Sequence, residues 1–169
     1  MCYTFLNEYE FSPLSVYLST PPEGSGNADT DALIAEKQAI ANKAAQDYNA
    51  KYNPAKRGIS KGYEGIGTTA NGGATFEGTQ YMYPVGEGQL NRVSITAQGN
   101  RPADFDLANA RAGLESTPGD AVWHHLDDYN VRTGDITLEL VYKDAHRATV
   151  PHAGSCAQYD AVNGPSYNK

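Results

Sequence analysis

Basic side chains are scarce in this chain: 13 Lys and Arg stand against 20 Asp and Glu, for a formal net charge of −7. The deficit is not confined to a tail. Residues 1–79 hold 6 basic and 9 acidic side chains and residues 80–169 hold 7 and 11, which together make the totals of 13 and 20. Lys and Arg usually supply most of the affinity for nucleic acid by neutralising phosphates, so a broad basic binding face is excluded. Any positive region must be local, with a bound cation adding to it, and the acidic remainder could serve a protein partner. Cysteine is scarcer still. Cys2 and Cys156 are too few for a disulfide framework. A single bridge would tie the N-terminal tail to the C-terminal lobe, but reduced thiols in a cytoplasm are the expectation. Cys156 follows His152 closely and reads as a small residue packed under a loop, with metal ligation as the alternative. No apolar run approaches the length that crosses a bilayer. The opening Met1-Cys2-Tyr3-Thr4-Phe5-Leu6 has no basic n-region and no continuous apolar core, so it does not read as a signal peptide. A phosphate loop is also missing, because Gly65-Ile66-Gly67 is not followed by the Gly-Lys-Ser/Thr that such a loop needs.

The 169 residues suit one ordinary domain, and a hydrophobic content of 40% fits a globular protein with some loose segments. Residues 1–28 end in Ser19-Thr20-Pro21-Pro22-Glu23-Gly24-Ser25-Gly26 and read as a tail or linker, its aromatics Tyr3, Phe5, Tyr9, Phe11 and Tyr17 packing on something. Residues 29–55 read as a connecting helix over about Thr30 to Tyr52. Leu33, Ile40, Ala41, Ala44 and Tyr48 form its apolar stripe, Asp29 its cap and Asn53-Pro54 its end. Nothing in that helix suggests chemistry. Glycines between Gly58 and Gly88 allow tight turns around a strand-like aromatic segment, Thr75 to Pro84. Val93, Ile95 and Ala97 alternate with polar residues as in a half-buried strand. Asn100 caps a short helix with Pro102 in its first turn, Gly113 past its end, and Phe105, Ala108 and Ala112 on its inward face. The last section predicts a strand over Ala121–Leu126, a loop over Asp127–Gly134, and a second strand over Asp135–Tyr142. A short helix from about Asp144 follows, limited by Pro151.

All four histidines fall in this last section: His124, His125, His146 and His152. Imidazole both ligates transition metals and exchanges protons near neutral pH. Neighbouring side chains on a strand point to opposite faces, so His124 and His125 can hardly ligate one ion. A division of labour follows, in which one binds metal and the other acts as a base. His146 and His152 lie about 600° apart on a regular helix, on opposite sides of it. They converge only if the helix breaks between them, where Pro151 stands. One divalent cation with a neutral imidazole beside it is the equipment for phosphodiester hydrolysis. Imidazole ligands leave Zn²⁺, Ni²⁺, Mn²⁺ and Mg²⁺ all open. The alternative is a non-catalytic module, stabilised by structural zinc, whose acidic surface binds a protein.

The run Thr117-Pro118-Gly119-Asp120-Ala121-Val122-Trp123-His124-His125, followed by Leu138-Glu139-Leu140-Val141, His146 and Pro151-His152-Ala153-Gly154-Ser155, resembles the WHH branch of the HNH/endonuclease VII nuclease superfamily. Upstream, Thr69-Ala70-Asn71-Gly72-Gly73, Gly78-Thr79, Tyr83-Pro84-Val85-Gly86-Glu87-Gly88-Gln89, Asp104-Phe105, Ala108-Asn109 and Ala112-Gly113-Leu114 extend the likeness to about residues 69–165. The resemblance implies an α+β fold with a ββα-metal (His-Me finger) core at about 120–155 inside a nuclease domain of residues 56–169, with an additional N-terminal helix and short strands. It further implies a metal-dependent DNA endonuclease, the C-terminal toxin of a bacterial polymorphic, Rhs-like protein. Such a toxin is exported or delivered to act in the cytoplasm of competing cells, and a cognate immunity protein, often of the SUKH type, neutralises it in the producer. Carried over by position, His124, His146 and His152 are metal ligands and His125 is the general base. Arg101 and Arg147 are the candidates for phosphate contact. HNH enzymes orient the base with an asparagine between the two strands. Thr137 stands near that place here, leaving Asn130 or a backbone carbonyl as substitutes.

Overall fold

The computed structural model describes residues 28–167; the tail, its aromatics and Cys2 lie outside them. In order, the elements are α1 (Ala28–Tyr52), α2 (Pro54–Ser60), β1 (Gly67–Thr68), β2 (Ala74–Thr75), β3 (Arg92–Thr96), α3 (Arg101–Ala112), β4 (Ala121–His125), β5 (Asp135–Tyr142), α4 (Lys143–Thr149) and α5 (Ser155–Asn163). Helices and small antiparallel sheets are thus mixed, as an α+β chain requires. The main sheet runs β3-β5-β4, all antiparallel, with Trp123 opposite Leu140, His124 opposite Glu139, and His125 opposite Leu138.

Period-two alternation explains why this small sheet is covered on both faces. Ile136, Leu138 and Leu140 of β5, Val93 and Ile95 of β3, and Trp123 of β4 point to one face, where Ala108 and Ala112 of α3 pack on them. Val141 points to the other, against Ala145 of α4, Ala55 of α2, Phe76 and Ile66. Trp123 is buried, and its Nε1 donates to Asn109 Oδ1 of α3 at 2.8 Å. The ring is satisfied at its polar end, as a buried indole requires. α3 begins and ends as its sequence suggests: Asn100 Oδ1 accepts from the Ala103 amide, and Gly113 closes the helix at φ 71°.

Three segments depart from expectation. Of the stripe expected for α1, Ala41 is buried and Ala44 half-buried, but Leu33, Ile40 and Tyr48 are 52%, 47% and 41% exposed. The buried line is Ala41, Ala45 and Asn49, one helical turn apart, where small side chains let α1 lie close along α5. Of the segment Thr75 to Pro84 only Thr75 lies in a named strand, as the last residue of β2. The chain turns at Phe76–Thr79, and Met82 then forms a single bridge to Val141 alongside β5. Ala97 lies just past β3, its amide bonded to the Gly134 carbonyl at 2.9 Å. Asn53–Pro54 does end α1, but Asn53 at φ 47° redirects the chain into a second helix. No helix among the described residues is long and apolar enough to cross a membrane.

Candidate metal centre and active site

β4 splits its two adjacent histidines between the two faces of the sheet. His124 enters the face covered by α4, where its ring meets Phe76 edge-on at 5.3 Å between centroids. Its Nε2 donates to the Ala74 carbonyl at 2.9 Å. That bond leaves Nδ1 as the lone-pair nitrogen, and Nδ1 is buried with no partner. α4 carries His146 to the same place. The helix then stops at Thr149, Val150 is extended, and the Val150–Pro151 peptide is cis. His152 therefore leaves the helical path and turns back, so the break expected at Pro151 is present. The His124, His146 and His152 rings lie 4.8 to 5.2 Å apart between centroids. One ligand atom from each falls within 4.8 Å of the others. His152 Nδ1 is likewise buried and unpartnered.

Two orphaned nitrogens in one pocket are costly unless something fills the gap. Burial, reinforced by the neighbouring histidines, lowers all three pKa values to about 3, so the three rings are neutral at pH 7 and offer lone pairs. Such a donor set fits a divalent cation. Three imidazoles with no thiolate among them would not by themselves complete the four-ligand set of a closed structural zinc site. Cys156 is not part of the cluster: it is buried, and burial pushes its thiol up to about 12, so it keeps its proton. Its pairing with Cys2 lies outside the described residues.

His125 points the opposite way, toward α3, and stands outside the triad. Its Nε2 is 2.8 Å from Asp104 Oδ2. Asp104 is 0% exposed and also accepts from the Tyr167 hydroxyl at 2.7 Å and the Gln98 amide at 2.8 Å. A carboxylate only accepts, so His125 Nε2 carries a proton, and the neutral ring has its lone pair on Nδ1. Burial and the Asp104 carboxylate both raise the Tyr167 pKa, which keeps that phenol a donor. Asn130 is not the group that orients His125. Its side chain accepts from the Arg132 and Thr133 amides within the β4–β5 turn. Thr137 sits one residue from Leu138, the partner of His125 across the strands, and its amide donates to Asp128. The sequence signal for Asp104 was slight: an acidic residue in the first turn of a capped helix ordinarily complements the helix dipole. Only its complete burial reveals another role.

Gly154 closes the site from above. A Cβ there would collide with the His125 carbonyl oxygen, and the next amide, that of Ser155, donates to Leu126 at 2.6 Å. His125, His146 and His152 line a cleft of about 260 Å³ together with Arg101 and Gly154. Arg101 is held by a 2.9 Å bond to the Tyr167 carbonyl and lies 5.9 Å from that ring. Arg147 is elsewhere. It pairs with Asp144 at 3.3 Å, both largely exposed, and faces a separate surface cavity beside Lys143. Arg101 therefore lines the histidine cleft and Arg147 does not, although the Arg147 charge helps to lower the His146 pKa.

No curated protein and no solved structure matches the chain. A family model does, over residues 114–161, a stretch that contains Trp123-His124-His125, His146 and His152. The family is WHH, described as a nuclease of the HNH/ENDO VII superfamily with conserved WHH. Asp104, Arg101 and α1 lie outside that stretch. Over residues 114–161 the chain is thus similar to the WHH nucleases of the HNH/ENDO VII superfamily.

Proposed function

We propose that the protein is a metal-dependent endonuclease that cleaves DNA phosphodiesters, with β4, β5 and α4 acting as a ββα-metal core. One observation carries this reading. Three neutral, partly unpartnered imidazoles converge on one point, while a fourth, adjacent in sequence, is held apart with its lone pair on Nδ1 and lines the same cleft. His124, His146 and His152 would hold a divalent ion, which when bound would supply charge stabilisation to the phosphoryl group. His125 Nδ1 takes the proton of the attacking water. Asp104 keeps Nε2–H in place and stabilises the imidazolium that forms. Arg101 holds a phosphate oxygen.

The chain further reads as the toxin part of a delivered polymorphic, Rhs-like protein, acting in the cytoplasm of competing bacteria and neutralised by an immunity protein. The support for this is the WHH likeness. A zinc-stabilised protein-binding module remains the second reading, favoured by the net charge of −7. A plasmid-nicking assay across Mg²⁺, Mn²⁺, Ni²⁺ and Zn²⁺ separates the two. The nuclease cleaves with metal, stops with chelator, and loses cleavage but not metal in His125→Ala. Intact plasmid in every metal with folded protein refutes it. Growth arrest on expression in bacteria, relieved by His125→Ala, tests the toxin role.

A further inference from the structure

Two neighbours on α1 have opposite surroundings. Asn49 is fully buried and exchanges two hydrogen bonds with Ala153, Nδ2 to the carbonyl at 2.9 Å and amide to Oδ1 at 2.8 Å. The same Nδ2 lies 3.2 Å from Asp127 Oδ2 and from the Asn71 carbonyl. One turn of α1 is thereby fastened to the residue that follows His152. Tyr48, the preceding residue, is 41% exposed. Tyr52 packs against its ring at 4.7 Å between centroids. Tyr48 lines a cavity of about 210 Å³ with Arg101, His152, Gly154 and Cys156. Those four also line the cavity that holds His125 and His146, so the two cavities adjoin across them. Arg101 and the accessible Tyr48 ring line the second of them, beside the cavity of the histidines.

A guanidinium and an exposed aromatic ring side by side in one cleft match the two parts of a nucleotide, its phosphate and its base. Stacking on an aromatic ring also gives affinity without positive charge, which a chain of net charge −7 needs. A base offers its face only when it is unstacked from a duplex. We propose that Tyr48 is the stacking platform for an unpaired nucleobase next to the phosphate held by Arg101, and that the site therefore prefers single-stranded nucleic acid or unpaired ends over continuous duplex. This inference rests on the nuclease reading above.

The test compares metal-loaded wild type, Tyr48→Ala and Tyr48→Phe on a single-stranded oligonucleotide and on the same sequence as a duplex. Wild type should have the lower KM on the single strand. Tyr48→Ala should raise that KM about tenfold, the order of one lost base–aromatic stack, with kcat and duplex KM within about twofold. Tyr48→Phe should behave as wild type. A change below twofold in Tyr48→Ala, an equal loss on both substrates, or a Tyr48→Phe as impaired as Tyr48→Ala would overturn the proposal. Binding without turnover keeps the two readings distinguishable. A single strand containing 2-aminopurine should be quenched by His125→Ala protein and not by the His125→Ala/Tyr48→Ala double variant. Wild type that cuts nothing refutes the nuclease, whereas quenching that survives loss of Tyr48 refutes the stacking site.

Discussion

Replacing Asp104 by Asn tests whether the buried carboxylate sets the tautomer of His125 or merely fills space. Asp104 accepts three hydrogen bonds, from His125 Nε2 and the Tyr167 hydroxyl on Oδ2 and from the Gln98 amide on Oδ1. An asparagine has one accepting oxygen and an NH₂ group, so in either orientation the NH₂ faces a donor. If it faces His125, the imidazole must accept on Nε2 and carry its proton on Nδ1, which removes the lone pair the reaction needs. If it faces the Gln98 amide, a buried N–H loses its acceptor, at a cost of about 1–3 kcal/mol, and the charge that stabilises the imidazolium is gone in either case. A general base contributes about 10²–10⁴-fold, and the corresponding Asn change in a Ser-His-Asp triad lowers kcat about 10⁴-fold through the wrong tautomer.

The expected loss in Asp104→Asn is therefore about 10²–10⁴-fold in kcat on an oligonucleotide at saturating metal, with KM little changed. Two further readouts separate positioning from simple packing. Metal affinity should stay within about threefold of wild type, because Asp104 makes no contact with the triad. Asp104→Asn should add no further kcat loss in a His125→Ala background, since both changes remove the same function. A folded variant that keeps kcat within about threefold of wild type would refute the role assigned to Asp104, and so would a loss that adds in full to that of His125→Ala.

Three further outcomes follow from the same geometry. Arg101→Ala should lower kcat/KM about tenfold while Arg147→Ala leaves it within about twofold, since only Arg101 lines the histidine cleft; equal losses would refute the assignment. Gly154→Ala should cost about 1–3 kcal/mol in denaturant unfolding and reduce activity, because the obstacle is a backbone oxygen that cannot rotate away; an unchanged unfolding midpoint would contradict it. The chelated protein should lose stability as pH falls below about 6.5. The unfolded chain then takes up protons on histidines that the folded triad holds at about 3. Stability is whole above pH 6.5 and declines toward pH 3, by about 1 kcal/mol per histidine at pH 5.5, and a melting temperature unchanged between pH 7.5 and 5.5 would refute it.

What could be read from the residues alone depended on how local its cause is. β5 spans Asp135–Tyr142 as its alternation predicts, and β4 stops one residue short of expectation at His125. The capped helix α3 is equally local, with Asn100 and Gly113 marking its ends. The placement of the histidines on opposite faces followed from strand geometry, and the break after α4 from Pro151. The packing of α1 was legible only at Ala41, because it depends on which small side chains allow α5 to approach. Ala45 and Asn49 carry almost no hydrophobic signal, whereas the larger Leu33, Ile40 and Tyr48 do and lie outward. α5 was missed for a similar reason: Ser155–Asn163 contains few large apolar residues, and its buried face includes Ser155 and Gln158.

Asp104 shows the deeper limit. In sequence it is an acid in a first helical turn, one of the commonest places for a solvated carboxylate. Its role arises because α3 packs on the face of the sheet that Trp123 and His125 share, so the tryptophan that anchors the helix also brings Asp104 to the imidazole. Trp123 bonds to Asn109 and His125 to Asp104, residues five apart on one helix. The W-H-H run can then be explained as three consecutive tasks on one strand. Trp123 docks α3, His124 turns to the opposite face toward α4 and the triad, and His125 returns to the face where α3 supplies its partner. A change that loosens the Trp123–Asn109 contact should therefore impair the base before the metal site. In Asn109→Ala, kcat should fall while metal affinity holds, and a variant that loses metal first would show that the two faces of β4 are not independent.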